Sequence, residues 1–252
     1  MNNMPTTSRL TDESFWISDE ETVFSKHDPN HDIYKLIRNY IPSNKEGHCL
    51  EIGSFPGPFL AAFGDLGYTL SGIDFHPGNE KELPEWLQRQ GYKTGKFSST
   101  DFFSVVPEPI YDVVCSFGFI EHFTNYQSVI ADHAAFLKPG GLLLITTPNF
   151  AGGIQYWLHK NFDAKNLSHH NIESMQPMAW RNQLEQKHFE VIFSGYTGNF
   201  WFWRGSEKFK PFKTAILWSI ERIIPRLRKI LKFESRSFSA YCAIVAKKKN
   251  AD

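Results

Sequence analysis

The chain has 252 residues, 41% hydrophobic and 21% charged, which fits one soluble globular domain with a sizeable core. Basic and acidic residues balance at 27 each, and a formal net charge of zero argues against a nucleic-acid binder. Residues 1–16 are polar with no apolar signal core, and no uncharged apolar run approaches the roughly 20 residues that cross a bilayer. Three scattered cysteines, Cys49, Cys115 and Cys242, read as buried reduced thiols with no zinc spacing, so a cytosolic protein is expected.

Residues 1–28, with the isolated aromatics Phe15, Trp16 and Phe24, read as an N-terminal cap, and the fold proper is expected over 29–252. Ile33, Leu36, Ile37 and Tyr40 recur at helical spacing ahead of the Pro42-Ser43-Asn44 break. A strand follows at about 48–53, then a helix from Pro56 to about Leu66 and a second strand at about 68–74. Leu83 to Arg89 predicts a helix with Pro84 near its first turn, and a weak strand is expected near 92–97. Tyr111 to Ser116 is the fourth strand. Helical spacing then runs from Tyr126 to Leu137 and stops at the turn signal Lys138-Pro139-Gly140-Gly141. Leu142 to Thr147 predicts a fifth strand, 174–187 a helix, 189–193 a strand and 239–247 the last strand. The near-continuous apolar runs at 111–116 and 142–147 suit strands buried on both faces. Alternating strands and helices imply an α/β fold with a doubly wound, mostly parallel sheet, its Rossmann-like part at about 29–150.

In that fold class ligands sit at the carboxyl ends of the strands, near the switch in strand order. The first strand leads into Glu51-Ile52-Gly53-Ser54-Phe55-Pro56-Gly57, an acid and then a glycine turn that lets backbone approach a ligand. The helix start behind it offers free N–H groups to an anion. Asp74, followed by Phe75, ends the second strand 17 residues after Gly57, and a carboxylate there can hold ribose hydroxyls. Asp101-Phe102 follows the third strand; an acid beside an aromatic ring can bond an adenine amino group and cover the ring face. Ser116-Phe117-Gly118 ends the fourth.

Over about 48–149 the chain resembles the class I S-adenosylmethionine-dependent methyltransferases, in the branch of small-molecule O-methyltransferases that includes the ubiquinone-pathway enzymes. Leu50 to Gly57 is similar to the first motif of that family, Asp74 to its ribose-binding acid and Asp101 to its adenine-contacting acid. Tyr111 to Val114 with Ile120-Glu121-His122-Phe123 resembles its fourth-strand motif, and Leu137 to Gly141 the turn before strand five. The resemblance implies a seven-stranded, mostly parallel sheet with the last strand antiparallel, and S-adenosylmethionine as cofactor. It also implies a cofactor site of Glu51, Gly53, Ser54, Gly57, Asp74, Phe75, Asp101, Phe102, Ser116 and Phe117. Phe55 stands where the family usually has glycine, so its side chain must point away from the cofactor or the loop must differ.

A methyl on a sulfonium is already activated, so the protein's tasks are alignment, exclusion of water and a base for a hydroxyl nucleophile. His122 is the first candidate base; the alternative is that it caps the next helix or packs beneath the cofactor. His169 and His170, in a polar loop after strand five, and Asn149 are further candidates on the substrate side. Metal-using relatives carry a Glu three residues before the Glu-His pair; Gly118 stands there, so no metal is expected. Tyr156 and Lys160 have the Tyr-x-x-x-Lys spacing of short-chain dehydrogenases. However, the first turn lacks the second closely spaced glycine of a dinucleotide fingerprint, and packing explains Tyr156 more simply.

Between the last two strands, residues 199–236 open on Phe200-Trp201-Phe202-Trp203-Arg204 and continue as an amphipathic helix, kinked or restarted at Pro225. Over 204–232, nine basic residues face two acids. This insertion is expected either to cover the substrate pocket or a dimer face, or to meet anionic headgroups through 200–232 as a peripheral contact at the inner membrane face. The main expectation is methyl transfer to an oxygen of a small molecule, glycan or lipid-linked precursor. The alternatives are a non-catalytic cofactor-binding or membrane-docked module and a nicotinamide oxidoreductase.

Overall fold

In the computed structural model, residues 9–12, 16–17, 22–202, 211–231 and 234–250 are described. In chain order the elements are α1 (Asp32–Tyr40), β1 (His48–Ile52), α2 (Leu60–Asp65), β2 (Thr69–Asp74), α3 (Glu82–Arg89), β3 (Thr94–Ser99), β4 (Tyr111–Phe117) and α4 (Tyr126–Ala135). They continue as β5 (Leu137–Pro148), α5 (Gly153–Phe162), α6 (Ala164–Ser168), α7 (Pro177–Gln186), β6 (Phe189–Thr197), α8 (Pro211–Leu231) and β7 (Tyr241–Lys248). One sheet carries all seven strands in the order β3-β2-β1-β4-β5-β7-β6. It is parallel from β3 to β5, and β7 runs antiparallel to both β5 and β6. The switch in strand order falls between β1 and β4, where a crevice opens at the carboxyl ends.

The central strands are apolar throughout because both faces are covered. Val113 and Cys115 pack on one side with α1, α2 and α3 residues such as Ile37, Phe63 and Leu87. Val114 turns to the other side, with α4 and α7 residues such as Ile130, Trp180 and Leu184. The three cysteines are free and buried, as read from sequence. At the start of α1 the His31 Nδ1 accepts the Ile33 N–H at 3.2 Å, with Asp32 in the first turn and Arg38 in the last.

Several boundaries differ from the expectation: α2 begins at Leu60 rather than Pro56, and β6 runs on to Thr197 rather than 193. Lys138-Pro139-Gly140-Gly141 is a bulge within β5 rather than a turn before it: Tyr111 pairs with Leu137 but Val113 with Leu142, and Gly140 takes up the excess at a φ of +78°. The helix expected over 174–187 begins only at Pro177, whose missing N–H suits a first-turn position; Ile172–Ser174 is a separate 3-10 turn. The loop after β5 contains α5 and α6. Finally, α8 is one element from Pro211 to Leu231 and is not restarted at Pro225. Residues 203–210 and Lys232, which carry part of the basic stretch, lie outside the described residues.

Candidate active site

Two cavities meet at the crevice. The first is walled by Gly53, Phe55, Asp74, Phe75, Asp101, Phe102 and Phe117, all from the ends of β1 to β4 or the turns behind them, and is closed by Arg9, Thr11 and Trp16. The second, of about 440 Å³, lies between α1, the end of β5, α6 and β7, with walls of His27, His31, Phe59, Phe150, His170 and Tyr241. Trp16, Phe117, Gly118 and His122 line both, so His122 stands where one cavity opens on the other.

Gly53 needs its φ of +72°, and a Cβ there would come 2.8 Å from the Phe119 ring, so only glycine fits. Asp74 holds the turn above it: its Oδ2 accepts the Phe55 N–H at 3.1 Å and its Oδ1 the His76 N–H at 2.8 Å. Burial pushes the Asp74 carboxyl up, and these N–H groups pull against that. The Phe55 ring does not leave the site. It stacks on His76 at 3.8 Å and meets Phe24 edge-on, so it forms part of the side wall next to the strand-final acid. Asp101 is bonded by the Arg9 guanidinium, and its Oδ1 also accepts the Phe103 N–H at 3.1 Å. Arg9 lies 5.7 Å from the Phe75 ring and 5.5 Å from that of Phe103.

The other expected cofactor residues stand behind this wall. The Ser54 hydroxyl donates to Asn79 at 2.6 Å and is turned into the sheet. Gly57 lies against Leu83, and Ser116 is fully buried. Glu51 is buried at the end of β1 with its Oε2 unpartnered among the described residues; burial and then Asp74 hold its carboxyl well above the usual range. An orphaned carboxyl oxygen and aromatic walls suit a cationic ligand with an amino group.

His122 belongs to a 3-10 turn, Ile120–His122, that continues β4 inward, and it is buried. Its Nδ1 lies 2.9 Å from the His169 carbonyl, an acceptor only, so Nδ1 carries the proton and Nε2 the lone pair. Burial and then His170 push the ring down to about 3, while the His169 and Gly118 carbonyls act the other way. The imidazole is therefore neutral across the physiological range. The ring of His170 is 4.7 Å away; its Nδ1 is bound to the Asn166 carbonyl at 2.7 Å, and burial holds it at about 4. His169 lines neither cavity and contributes its carbonyl. Burial raises Glu121 to about 8, so it is a neutral acid, and its Oε2 is unpartnered among the described residues. One ligand atom each from Glu121, His122 and His170 lies within 4.8 Å of the others, a three-donor set that the sequence reading did not bring together.

Asn149 is structural: its amide donates to the Arg236 and Ser239 carbonyls at 2.7 and 2.8 Å, pinning the chain ahead of β7 to the end of β5. Tyr156 lines neither cavity and is 41% exposed on α5, so neither the dehydrogenase spacing nor core packing accounts for it. Arg9, Trp16, His27, His31, Phe59, Phe150 and Tyr241 were not read as site residues. They carry no motif, and only the fold gathers them.

This sheet order, with a single antiparallel strand and a glycine turn and strand-final acids on one crevice, defines a class I methyltransferase fold. The chain belongs to the methyltransferase domain family, whose sequence pattern matches residues 26–193; the cofactor of these enzymes is S-adenosylmethionine. It is 28% identical over 117 residues to the ubiquinone biosynthesis O-methyltransferase of Rickettsia prowazekii, 46% of each chain. It is 28% identical over 100 residues to that of a Bradyrhizobium strain, 40% of this chain and 39% of the other. The chain thus spans about half the length, or less, of the curated relatives it matches. Among solved structures, a Bacillus halodurans protein of this fold superposes with a TM-score of 0.60 at 19% identity, covering 87% of this chain and 99% of the other. An S-adenosylmethionine-dependent methyltransferase from Archaeoglobus fulgidus gives 0.53 at 19% identity, covering 86% and 93%.

Proposed function

We propose that this chain transfers a methyl group from S-adenosylmethionine to a hydroxyl oxygen of a small molecule, a glycan or a lipid-linked precursor. The observation that carries the reading is the place of His122: a buried imidazole that lines both cavities, with Nδ1 on the His169 carbonyl and Nε2 as its acceptor atom. When bound, the cofactor supplies a methyl already activated on a sulfonium. Gly53, Asp74 and Asp101 hold it on the strand-end side, and the aromatic walls favour its cationic centre. His122 Nε2 takes the acceptor's hydroxyl proton as that oxygen takes the methyl. A neutral ring here also avoids placing a second positive charge beside the sulfonium. Trp16, Phe59, Phe117, Phe150 and Tyr241 suit a ring-bearing acceptor, in keeping with the relatives' names.

The test is release of S-adenosylhomocysteine with hydroxyl acceptors by wild type and His122→Ala. Wild-type turnover in the variant would remove His122 as base, and tight cofactor binding with no turnover of any acceptor would favour a non-catalytic module. A second reading rests on the Glu121–His122–His170 set, whose orphaned Glu121 Oε2 suits a divalent cation. Dialysis against a chelator decides: unchanged activity removes the cation, and recovery on adding Mg²⁺, Mn²⁺ or Zn²⁺ installs it.

A further inference from the structure

Five large apolar side chains left in solvent come from one layer: Tyr156 and Trp157 on α5, Trp201 beside it, and Trp218 and Ile223 on α8. The layer has its own small core, in which Leu158 and Phe162 of α5 and Leu217 of α8 are buried with Phe200 and Phe202. The Gln155 amide donates to the Trp201 carbonyl at 3.0 Å, tying the segment to α5. Trp201 is nevertheless 61% exposed and Trp218 56%. These are large apolar rings on a folded surface, not on an unfolded one.

The charge of the layer is one-sided. α8 carries Lys213, Arg222, Arg226, Arg228 and Lys229 against Glu221 alone, in a chain whose net charge is zero. The Arg222 guanidinium lies 4.1 Å from the centroid of the Trp218 ring, so a cation and an aromatic ring share one spot on the exposed face. Lys160 lies 5.9 Å from the Tyr156 ring on α5. Cations beside tryptophans match the headgroup level of a bilayer, where the ring finds an apolar phase and the cation finds phosphate. A polyanion without an apolar phase leaves the tryptophans wet, and a second copy of α8 sets like charges against each other. Among the described residues no helix is long and apolar enough to cross a membrane.

The layer also backs the second cavity. Phe202 packs on His159 at 4.8 Å, and His159 lies 3.7 Å from Phe150, which walls that cavity. We propose that the α5–α8 face docks on an anionic bilayer surface, with tryptophans at headgroup level and arginines on acidic headgroups, and so presents the second cavity to a lipid-borne acceptor. The delivery of an acceptor rests on the methyl-transfer reading; the docking does not.

The experiment is co-sedimentation of the full chain with phosphatidylcholine vesicles, with and without phosphatidylglycerol. Pelleting is expected only with the anionic vesicles and is expected to fade at high salt. Arg222→Ala with Arg226→Ala should weaken partitioning roughly thirtyfold, at the usual worth of a cation near an anionic surface. Trp201→Ser with Trp218→Ser should weaken it at least as much. Calorimetric titration of both variants with S-adenosylmethionine shows whether the fold is intact. Equal recovery in the supernatant with neutral and anionic vesicles overturns the proposal, as does wild-type pelleting of either variant. A concentration-dependent dimer that Trp218→Ser abolishes gives the face to a second copy and also overturns it. Loss of cofactor binding in the wild type sinks the methyl-transfer reading alone.

Discussion

Asp74 is where the cofactor assignment is most exposed to a quantitative test. Its two carboxylate oxygens each already accept one backbone N–H, from Phe55 at 3.1 Å and His76 at 2.8 Å. Each oxygen has a second lone pair for a ribose hydroxyl. Asp74→Asn is therefore not conservative, because either orientation of the amide sets an NH₂ against a backbone donor. Hydrogen bonds to a charged group are worth about 1.5–3 kcal/mol each, so losing both ribose contacts costs about 3–6 kcal/mol, or about 10²–10⁴ in Kd. Asp74→Ala should show that loss, and Asp74→Asn about half of it in free energy. Isothermal titration with S-adenosylmethionine and S-adenosylhomocysteine reads the affinity, and urea unfolding reads the separate cost of freeing the 54–57 turn. An Asp74→Ala protein that still binds within threefold of wild type, roughly 0.7 kcal/mol, contradicts the ribose role. Parallel titration with NAD measures the oxidoreductase alternative on the same residue.

His122→Ala should lower kcat by about 10²–10⁴ and leave the cofactor's Kd in place, since the ring meets the cavity only at its inner end; single-turnover kinetics separates the two. Glu121 gives a pH signature. Burial holds its carboxyl at about 8 against 4.5 in an unfolded chain, so the folded state keeps a proton that the unfolded state loses between those values. Stability from this group is present at low pH and falls as pH rises through the window, by at most a few kcal/mol. Glu121→Gln should remove that slope; if its urea midpoints at about pH 5 and about pH 8.5 stay parallel to wild type, the buried neutral acid is rejected. Arg9 bonds Asp101, and the Leu10 N–H reaches the His122 carbonyl at 2.9 Å, so the segment crosses the first cavity. Arg9→Ala removes a charge-assisted bond and should speed S-adenosylhomocysteine release about tenfold in a stopped-flow chase, at roughly 1.5 kcal/mol; unchanged release means the segment does not gate the site.

The strand-end crevice was legible because each of its parts is local in sequence. A glycine turn, a strand-final acid and an Asp-Phe pair each announce themselves within a few residues, and parallel pairing of β2 with β1 and β3 brings them together. What pattern could not show was the direction of individual side chains. Ser54 sits in the turn, yet its hydroxyl faces Asn79, because that buried amide also holds the Ser98 carbonyl at 2.9 Å and fixes the space behind the turn. The second cavity was illegible for a different reason. Tyr241 meets His31 across 210 residues, and Arg9 meets Asp101 across 92, distances over which periodicity carries no information. His170 shows the limit most clearly. Ala164–Ser168 has no apolar repeat to mark a helix, so the segment reads as polar loop. Yet that single turn places the Asn166 carbonyl under His170 Nδ1, which sets its tautomer and turns the ring toward His122. The ring that packs beside His122 is thus positioned by backbone that carries no chemical signature. The specificity of this enzyme class can therefore diverge along such segments while the strand-end motifs stay recognisable.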